Sequence, residues 1–330
     1  MKKLLYFFAI LICLTYLLFI SSCSKPGHEK TPIKIGINLW TGFAPFILAK
    51  KNDLFKKNNV NVKVIKYPSA PVEMQAIKTG EIHGATFTLD EVFSLIESGF
   101  NGKVVLITDY SMGGDMIIGQ KDIKNMSELQ GKTIGYEGTV IGEFLLDQAL
   151  HKYYIKSDQV KLVNIQANNW FTAFKEKKID ALVCFNPIGT ILLTKQEGNL
   201  LFSSAEIPFE IIDVLIFSES FYEDNKPAIT NIVKSWFDAL TYIKTNTDTA
   251  ADIISSAKNI SPEEYKQSLK GLVAPDLKEN KSVFDPQSAK NIYKYSQVVV
   301  DFMIYRGLLS KRVNTTDLFT PEILSNIDNN

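Results

Sequence analysis

From Ile33 onward the chain alternates between two kinds of apolar stretch. In the first kind, Ile33, Ile35 and Ile37 alternate with Lys34, Gly36 and Asn38, the period-two pattern of a strand. The second kind follows a turn at Thr41-Gly42. Phe46, Ile47, Leu48, Leu54 and Phe55 then form the apolar face of a helix that opens near Pro45, where a missing N–H costs nothing. The pattern predicts further strands at 60–67, 84–89, 103–109 and 116–120. Helices are predicted over 74–79, closed by Gly80, and from the capping-box spacing Thr88-Leu89-Asp90-Glu91 to Gly99. A second series then begins: a short helix at Ser127, strands at 132–136, 160–165, 179–185 and 200–203, and helices at 138–151, around 170–175 and up to Gly198. One more strand is predicted at 213–217. The remainder is mostly helical, with Ile229, Ile232, Val233, Trp236, Phe237, Leu240 and Ile243 on one face of 226–245. A capped helix start stands at Ser261-Pro262-Glu263-Glu264, and a long helix runs over 287–305 to Gly307. Strands alternating with helices at this pitch mean parallel βαβ units, and the restart means two of them.

Residues 1–32 stand apart from that pattern. Lys2 and Lys3 precede an apolar run over 4–19, and Ile20-Ser21-Ser22-Cys23 closes it. Small residues directly before a cysteine resemble the lipobox of bacterial lipoproteins, which implies a signal segment over 1–22 and a lipid on the Cys23 thiol. The alternatives are an uncleaved membrane anchor and an ordinary cleaved signal peptide. The polar stretch over 23–32, with Pro26 and Gly27, reads as a tether.

Composition narrows the function more than the fold. A chain of 330 residues has room for about two domains, and its formal net charge of zero argues against a nucleic-acid groove or a basic membrane patch. Three cysteines make no disulfide framework. Enzyme signatures fail one by one. Gly131-Lys132-Thr133 resembles the end of a phosphate loop, but Met126 stands where its first glycine belongs. There is no GxGxxG after a strand, no HExxH and no GxSxG. His28 lies in the tether, while His83 before a strand and His151 at a helix end read as structural. Cys184 inside ALVCF reads as a small buried hydrophobe. No cofactor and no metal are expected.

The carboxyl ends of the strands hold the candidate site. They carry Trp40 and Thr41; Thr88 and Asp90; Asp109, Tyr110 and Ser111; Glu137 and Thr139; Asn168 and Trp170; and Asn186. In an open α/β sheet such tips converge on one crevice. Each also has a local role open to it. Thr88, Thr139 and Asn168 can cap helices, Asp90 suits a helix dipole, and Asp109 and Asn186 can form turns.

Four stretches carry a resemblance: WTGFAPFILAKKNDLF, YPSAPVEMQAIKTGEIHGATFTLDEV, ELQGKTIGYEGTVIGEFLL and AFKEKKIDALVCFNPI. They resemble the substrate-binding lipoproteins of bacterial ABC importers, in the nitrate/sulfonate/taurine and thiamine-precursor (NMT1-like) group, over nearly all of residues 33–220. The resemblance implies a two-lobed periplasmic-binding-protein fold of type II, each lobe a mostly parallel sheet flanked by helices. Residues 33–115 and 214–330 would form the first lobe and 116–213 the second, with hinge crossings at 116–120 and 213–217. It implies an extracytoplasmic, lipid-anchored monomer, on the periplasmic face or the outer surface, that delivers a small molecule to a membrane permease. Ligand contacts would come from Trp40, Thr41, Thr88, Asp90, Asp109, Glu137, Thr139, Asn168 and Asn186. The chain departs from the group's pattern at His83 and Asn186, where relatives commonly carry acidic residues. A pyrimidine-synthase-like enzyme on the same fold and a ligand-sensing module are the rival readings.

Ligand charge is open between two kinds. The group's binders of nitrate and sulfonates point to a small oxyanion, which helix N-termini favour. The residues point elsewhere. Asp90, Asp109 and Glu137 crowd the tips, and no arginine precedes Arg306. Acidic acceptors around a flat ring suit a neutral or cationic heterocycle with N–H donors, such as an aminopyrimidine.

Overall fold

The computed structural model describes residues 31–328, so the expectations for the signal segment, the Cys23 lipid and most of the tether lie outside the described residues. The chain first lays down β1 (Ile33–Ile37), α1 (Ala44–Lys51), α2 (Leu54–Lys57), β2 (Val62–Lys66), α3 (Ala70–Lys78), β3 (Gly84–Thr88), α4 (Leu89–Glu97) and β4 (Gly102–Ser111). A second sheet follows, built by β5 (Asp115–Gln120), β6 (Thr133–Tyr136), α5 (Val140–Lys152), β7 (Lys161–Asn164), α6 (Trp170–Lys175), β8 (Ala181–Phe185), α7 (Ile188–Thr194) and β9 (Gly198–Ser203). The chain then returns through β10 (Ile212–Ser218) to α8 (Glu219–Thr245), α9 (Thr247–Lys258), α10 (Pro262–Leu269), β11 (Leu272–Val273), α11 (Leu277–Val283) and α12 (Ile292–Tyr305).

The two sheets share one plan. Their strand orders are β11-β4-β10-β3-β1-β2 and β7-β6-β8-β5-β9. β1 runs parallel to β2 and β3, and β6 parallel to β7 and β8. Mostly parallel sheets are expected, and β5 and β10 are the exceptions within them. Each lies antiparallel to both of its neighbours. The reason is geometric: each starts at the crevice, having just crossed from the other sheet, so it must run against strands that end there. The expected hinge segments 116–120 and 213–217 are thus strands of the sheets being entered. The crossings are the residues just before them, 112–114 and 204–211.

The two crossings are tied together. The hydroxyls of Ser111 and Ser204 share a 2.8 Å hydrogen bond, and the Gly113 N–H donates to Ser204 Oγ at 2.7 Å. Gly114 and Gly271 are glycines because the chains meet here. A Cβ on Gly114 would stand 2.4 Å from Cη2 of Trp40, and one on Gly271 would stand 2.8 Å from Gly114 Cα. Burial follows the predicted periodicities. Ile229, Ile232, Val233 and Trp236 of α8 are fully buried, and Trp236 packs on Phe46 with ring centroids 4.8 Å apart. Two boundaries differ from expectation. The helix predicted over 74–79 starts at Ala70, with Pro71 in its first turn. The helix predicted over 287–305 starts at Ile292, where the Asn291 side chain accepts from the Lys294 N–H at 3.0 Å. No described helix is long and apolar enough to cross a membrane.

Candidate ligand-binding site

The strand tips of the two sheets close on a cavity of about 30 Å³, room for a water molecule or two. Its apolar wall is Trp40 and Phe43 from the first sheet, with Ile141 and Phe185 from the second. Its polar wall is Asn38, Thr88, Glu91, Asp115, Glu137, Thr139 and Asp213. Phe185 also lines a neighbouring cavity of about 20 Å³, backed by Trp170, Leu145 and Cys184. The aromatic rings meet across the crevice. Trp40 stands edge-on to Phe185 at 5.9 Å, and Phe185 edge-on to Trp170 at 4.8 Å, geometry that favours aromatic pairs.

Trp40 is held from three sides. Its N–H donates to Asn38 Oδ1 at 2.9 Å, and its indole Nε1 donates to both oxygens of Asp109, at 3.0 and 3.2 Å. From outside, the Lys258 ammonium donates to the carbonyls of Leu39 and Trp40, at 2.8 and 3.1 Å. Gly42 makes the indole–carboxylate contact possible, since a Cβ there would lie 2.1 Å from Asp109 Oδ2. The ring is only 5% exposed.

Carboxyl groups dominate the site. Glu91, Asp115, Glu137 and Asp213 line the cavity, with Glu73, Asp90 and Asp109 directly behind them, and all seven side chains are buried. Burial raises the pKa of every one, because a carboxylate loses its hydration there. Asp90 is pushed up to about 6, Asp109 to about 7 and Asp115 to about 7, each first by burial and against its own hydrogen bonds. Asp109 and Asp213 face each other in register on β4 and β10. Asp213 rises well above the usual range, first through burial and then through the Asp109 charge, so it keeps its proton and donates it to Asp109. Among the described residues no ammonium or guanidinium sits against any of the seven. Nor does any group of His, Cys, Asp and Glu among the described residues have an arrangement that could hold a metal ion.

The expected site residues divide into three sets. Trp40, Thr88, Glu137 and Thr139 line the cavity, while Thr41, Asp90 and Asp109 are buried behind its wall. The Thr88 N–H donates to Glu91 at 3.0 Å, which completes the capping box of α4, and Glu137 accepts from the Ala167 N–H at 3.2 Å. Asn168 is exposed and does not line the cavity. Asn186 is buried, but its side chain is committed elsewhere. Its Oδ1 accepts from the Thr190 N–H and hydroxyl at 3.1 and 2.7 Å, and its Nδ2 donates to the Ser268 carbonyl at 3.0 Å. His83 is structural: its Nδ1 accepts from the Lys34 N–H at 2.9 Å, and its ring stacks on Phe221. Sequence reading missed Glu91, Asp115, Asp213 and Phe185. Asp115 and Asp213 share a signal that was available: each is an acid at the start of the strand that enters a sheet. Glu91 was visible only as the third residue of a capping box, and Phe185 only as the last apolar residue of ALVCF.

Comparison with known proteins agrees with this architecture. A solved structure from Staphylococcus aureus, described as the ligand-binding component of an ABC-type import system with zinc bound, superposes with a TM-score of 0.75 at 19% identity, over 90% of this chain and 99% of that one. A Brucella abortus protein named as a binding protein is 28% identical over 193 residues, so the match spans 56% of its length and 56% of this chain. A Haemophilus influenzae protein named for thiamine biosynthesis is 24% identical over 302 residues, 87% of this chain and 90% of that one. The family model described as NMT1-like matches residues 26–258, and the chain belongs to the NMT1-like family.

Proposed function

We propose that this protein is the extracytoplasmic solute-binding component of an ABC importer, anchored by a lipid on Cys23, and that its cleft takes a small cationic or N–H-rich heterocycle such as an aminopyrimidine. One observation carries the ligand class: the cavity wall holds four carboxyl side chains and aromatic rings, and among the described residues it holds no lysine, arginine or histidine. An oxyanion would find no guanidinium there to fork it, and each wall carboxyl that ionises would repel it. A cationic ring would instead find acceptors at its edge and Trp40 and Phe185 at its faces.

The cavity is too small for such a ring, so the lobes part to admit it and turn about 112–114 and 204–211. Closure is favoured only by a ligand that touches both lobes. The wall meets that condition with Trp40, Glu91 and Asp213 on one side and Asp115, Glu137 and Phe185 on the other. The nearest competing class is an enzyme on the same fold, a reading prompted by the name of the Haemophilus relative. A transport binder returns its ligand unchanged at one per chain, whereas an enzyme consumes it.

Titration calorimetry against 4-aminopyrimidine, nitrate, taurine and an alkanesulfonate tests the ligand class. Saturable binding of the pyrimidine alone is expected. Tight binding of any of the three anions without the pyrimidine overturns it. For the anchor, Cys23→Ala is expected to release the protein from membranes or to leave an unprocessed precursor, and unchanged membrane retention and processing would reject a lipid on Cys23.

A further inference from the structure

β1 ends at Ile37, so the ladder of the first sheet stops short of Leu39 and Trp40. The loop that presents the Trp40 ring is held from behind by a side chain 218 positions away. Lys258 is the last residue of α9, and its ammonium donates to the Leu39 carbonyl at 2.8 Å and to the Trp40 carbonyl at 3.1 Å. A lysine at a helix end ordinarily serves its own helix, whose last carbonyls carry partial negative charge. Lys258 does not. The Ala257 carbonyl of α9 accepts instead from Lys66 Nζ, at 2.5 Å, and Lys258 reaches away to the loop after β1. Among the described residues no carboxylate stands beside it. Burial, and then the Lys66 charge, lower its pKa to about 7. The ammonium is thus kept there against a desolvation cost, and the two carbonyls are what it bonds. Its base is firm, because Ala250, Ala251 and Ile254 of α9 are fully buried and the helix packs on α1.

We propose that Lys258 is a positioning residue for the ligand site: it ties the Trp40 loop to α9 and so aims the indole at Asp109 and Phe185. This rests on the crevice being the ligand site. The two carbonyls belong to the peptide planes before and after the Trp40 Cα. One ammonium therefore restrains both planes, and with them the direction of the Cα–Cβ bond that carries the ring. The aim matters because the ring works through its edges. Nε1 donates to Asp109 at 3.0 and 3.2 Å, and the ring stands edge-on to Phe185 of the other lobe at 5.9 Å. A hydrogen bond weakens steeply once its angle closes, so a small turn of the ring loses the carboxylate. The inward side of the ring is bounded by the backbone of the crossing, where a Cβ on Gly114 would stand 2.4 Å from Cη2. The Asn38 bond to the Trp40 N–H is made within the loop and moves with it. Lys258 supplies the restraint from outside.

The test reads the ring first without any ligand. The chain's three tryptophans, Trp40, Trp170 and Trp236, are labelled as 5-fluorotryptophan, and the Trp40 fluorine resonance is identified by its loss in Trp40→Phe. Lys258→Met keeps the apolar stem and removes the donors. It is expected to shift or split the Trp40 resonance and to leave that of the core residue Trp236 in place. Titration calorimetry with 4-aminopyrimidine is expected to show binding weakened by about threefold to tenfold in the same variant, at unchanged circular dichroism. An unmoved Trp40 resonance in folded Lys258→Met overturns the proposal. So does a displacement of the Trp236 resonance together with that of Trp40, which is loss of the core and not of aim. So does undiminished pyrimidine binding by a variant whose Trp40 resonance has moved. If Lys258→Met does not fold, Lys258→Gln, which keeps one amide donor, decides by the same resonance. A wild type that binds no pyrimidine rejects the heterocycle, and the Trp40 resonance alone then decides on Lys258.

Discussion

The two sheets follow the same strand plan and are equipped differently. The first is closed in by helices. β3 and β10 are buried along nearly their whole length, and α8 and α12 add a second apolar layer. The second ends in β7, an edge strand exposed at every residue. At the crevice the contrast is one of chemistry. The first lobe brings Trp40 against Asp109, with Glu91 and Asp213 on the cavity wall and Glu73 and Asp90 buried behind it. The second brings Phe185 braced on Trp170, with Asp115, Glu137 and Thr139. A shared topology thus settles where the tips meet, and the residues on the tips settle what they meet over. The first lobe sets most of the charge, and the second sets much of the shape.

The largest effect expected from this contrast is on stability. Leu215→Ala, in the middle of the buried β10, is expected to cost about 2–5 kcal/mol in chemical denaturation. A loss below about 1 kcal/mol would mean that the first lobe is not the stiffer one.

The next concerns pH. Asp90, Asp109 and Asp115 have folded pKa values of about 6, about 7 and about 7, all above their unfolded values. The folded chain therefore binds more protons in that window, so stability falls as pH rises from about 4 to about 7, by up to about 1.4 kcal/mol per unit for each group. Lys258, lowered to about 7, stays protonated below that and does not oppose the trend. Denaturation midpoints should be higher at pH 5 than at pH 7, and Asp115→Asn should flatten the slope from the second-lobe side. A cationic ligand should follow the opposite course and bind more tightly at pH 8. Stability that rises across this window would show that the carboxyls are ionised and satisfied.

Trp40→Ala comes third. It removes the ring that spans to Phe185 and the donor to Asp109, so ligand affinity is expected to fall by about tenfold or more, close to 1.4 kcal/mol. If affinity holds while the melting temperature collapses, the ring is core and not platform. The smallest effect is expected at Val163→Ala on β7, under about 0.5 kcal/mol, because the residue is 41% exposed. A larger loss would mean that the edge of the second sheet is covered in solution.

The sequence by itself determined the elements and much of the site. Period-two stretches such as Ile33–Ile37 became strands. The Thr88–Glu91 spacing became a capped helix, and Trp40, Thr88, Glu137 and Thr139 reached the cavity from three separate tips. These are local matters, in which periodicity and caps act within a few residues. Only the tertiary structure decided the direction of β5 and β10, because a strand's sense depends on which side the chain arrives from. Only it paired Asp109 with Asp213, 104 positions apart in number and opposite in register. Only it turned Asn186 away from the crevice to Thr190 and Ser268. A carboxylate's role depends on the charges, donors and water around it, and those neighbours come from distant parts of the chain.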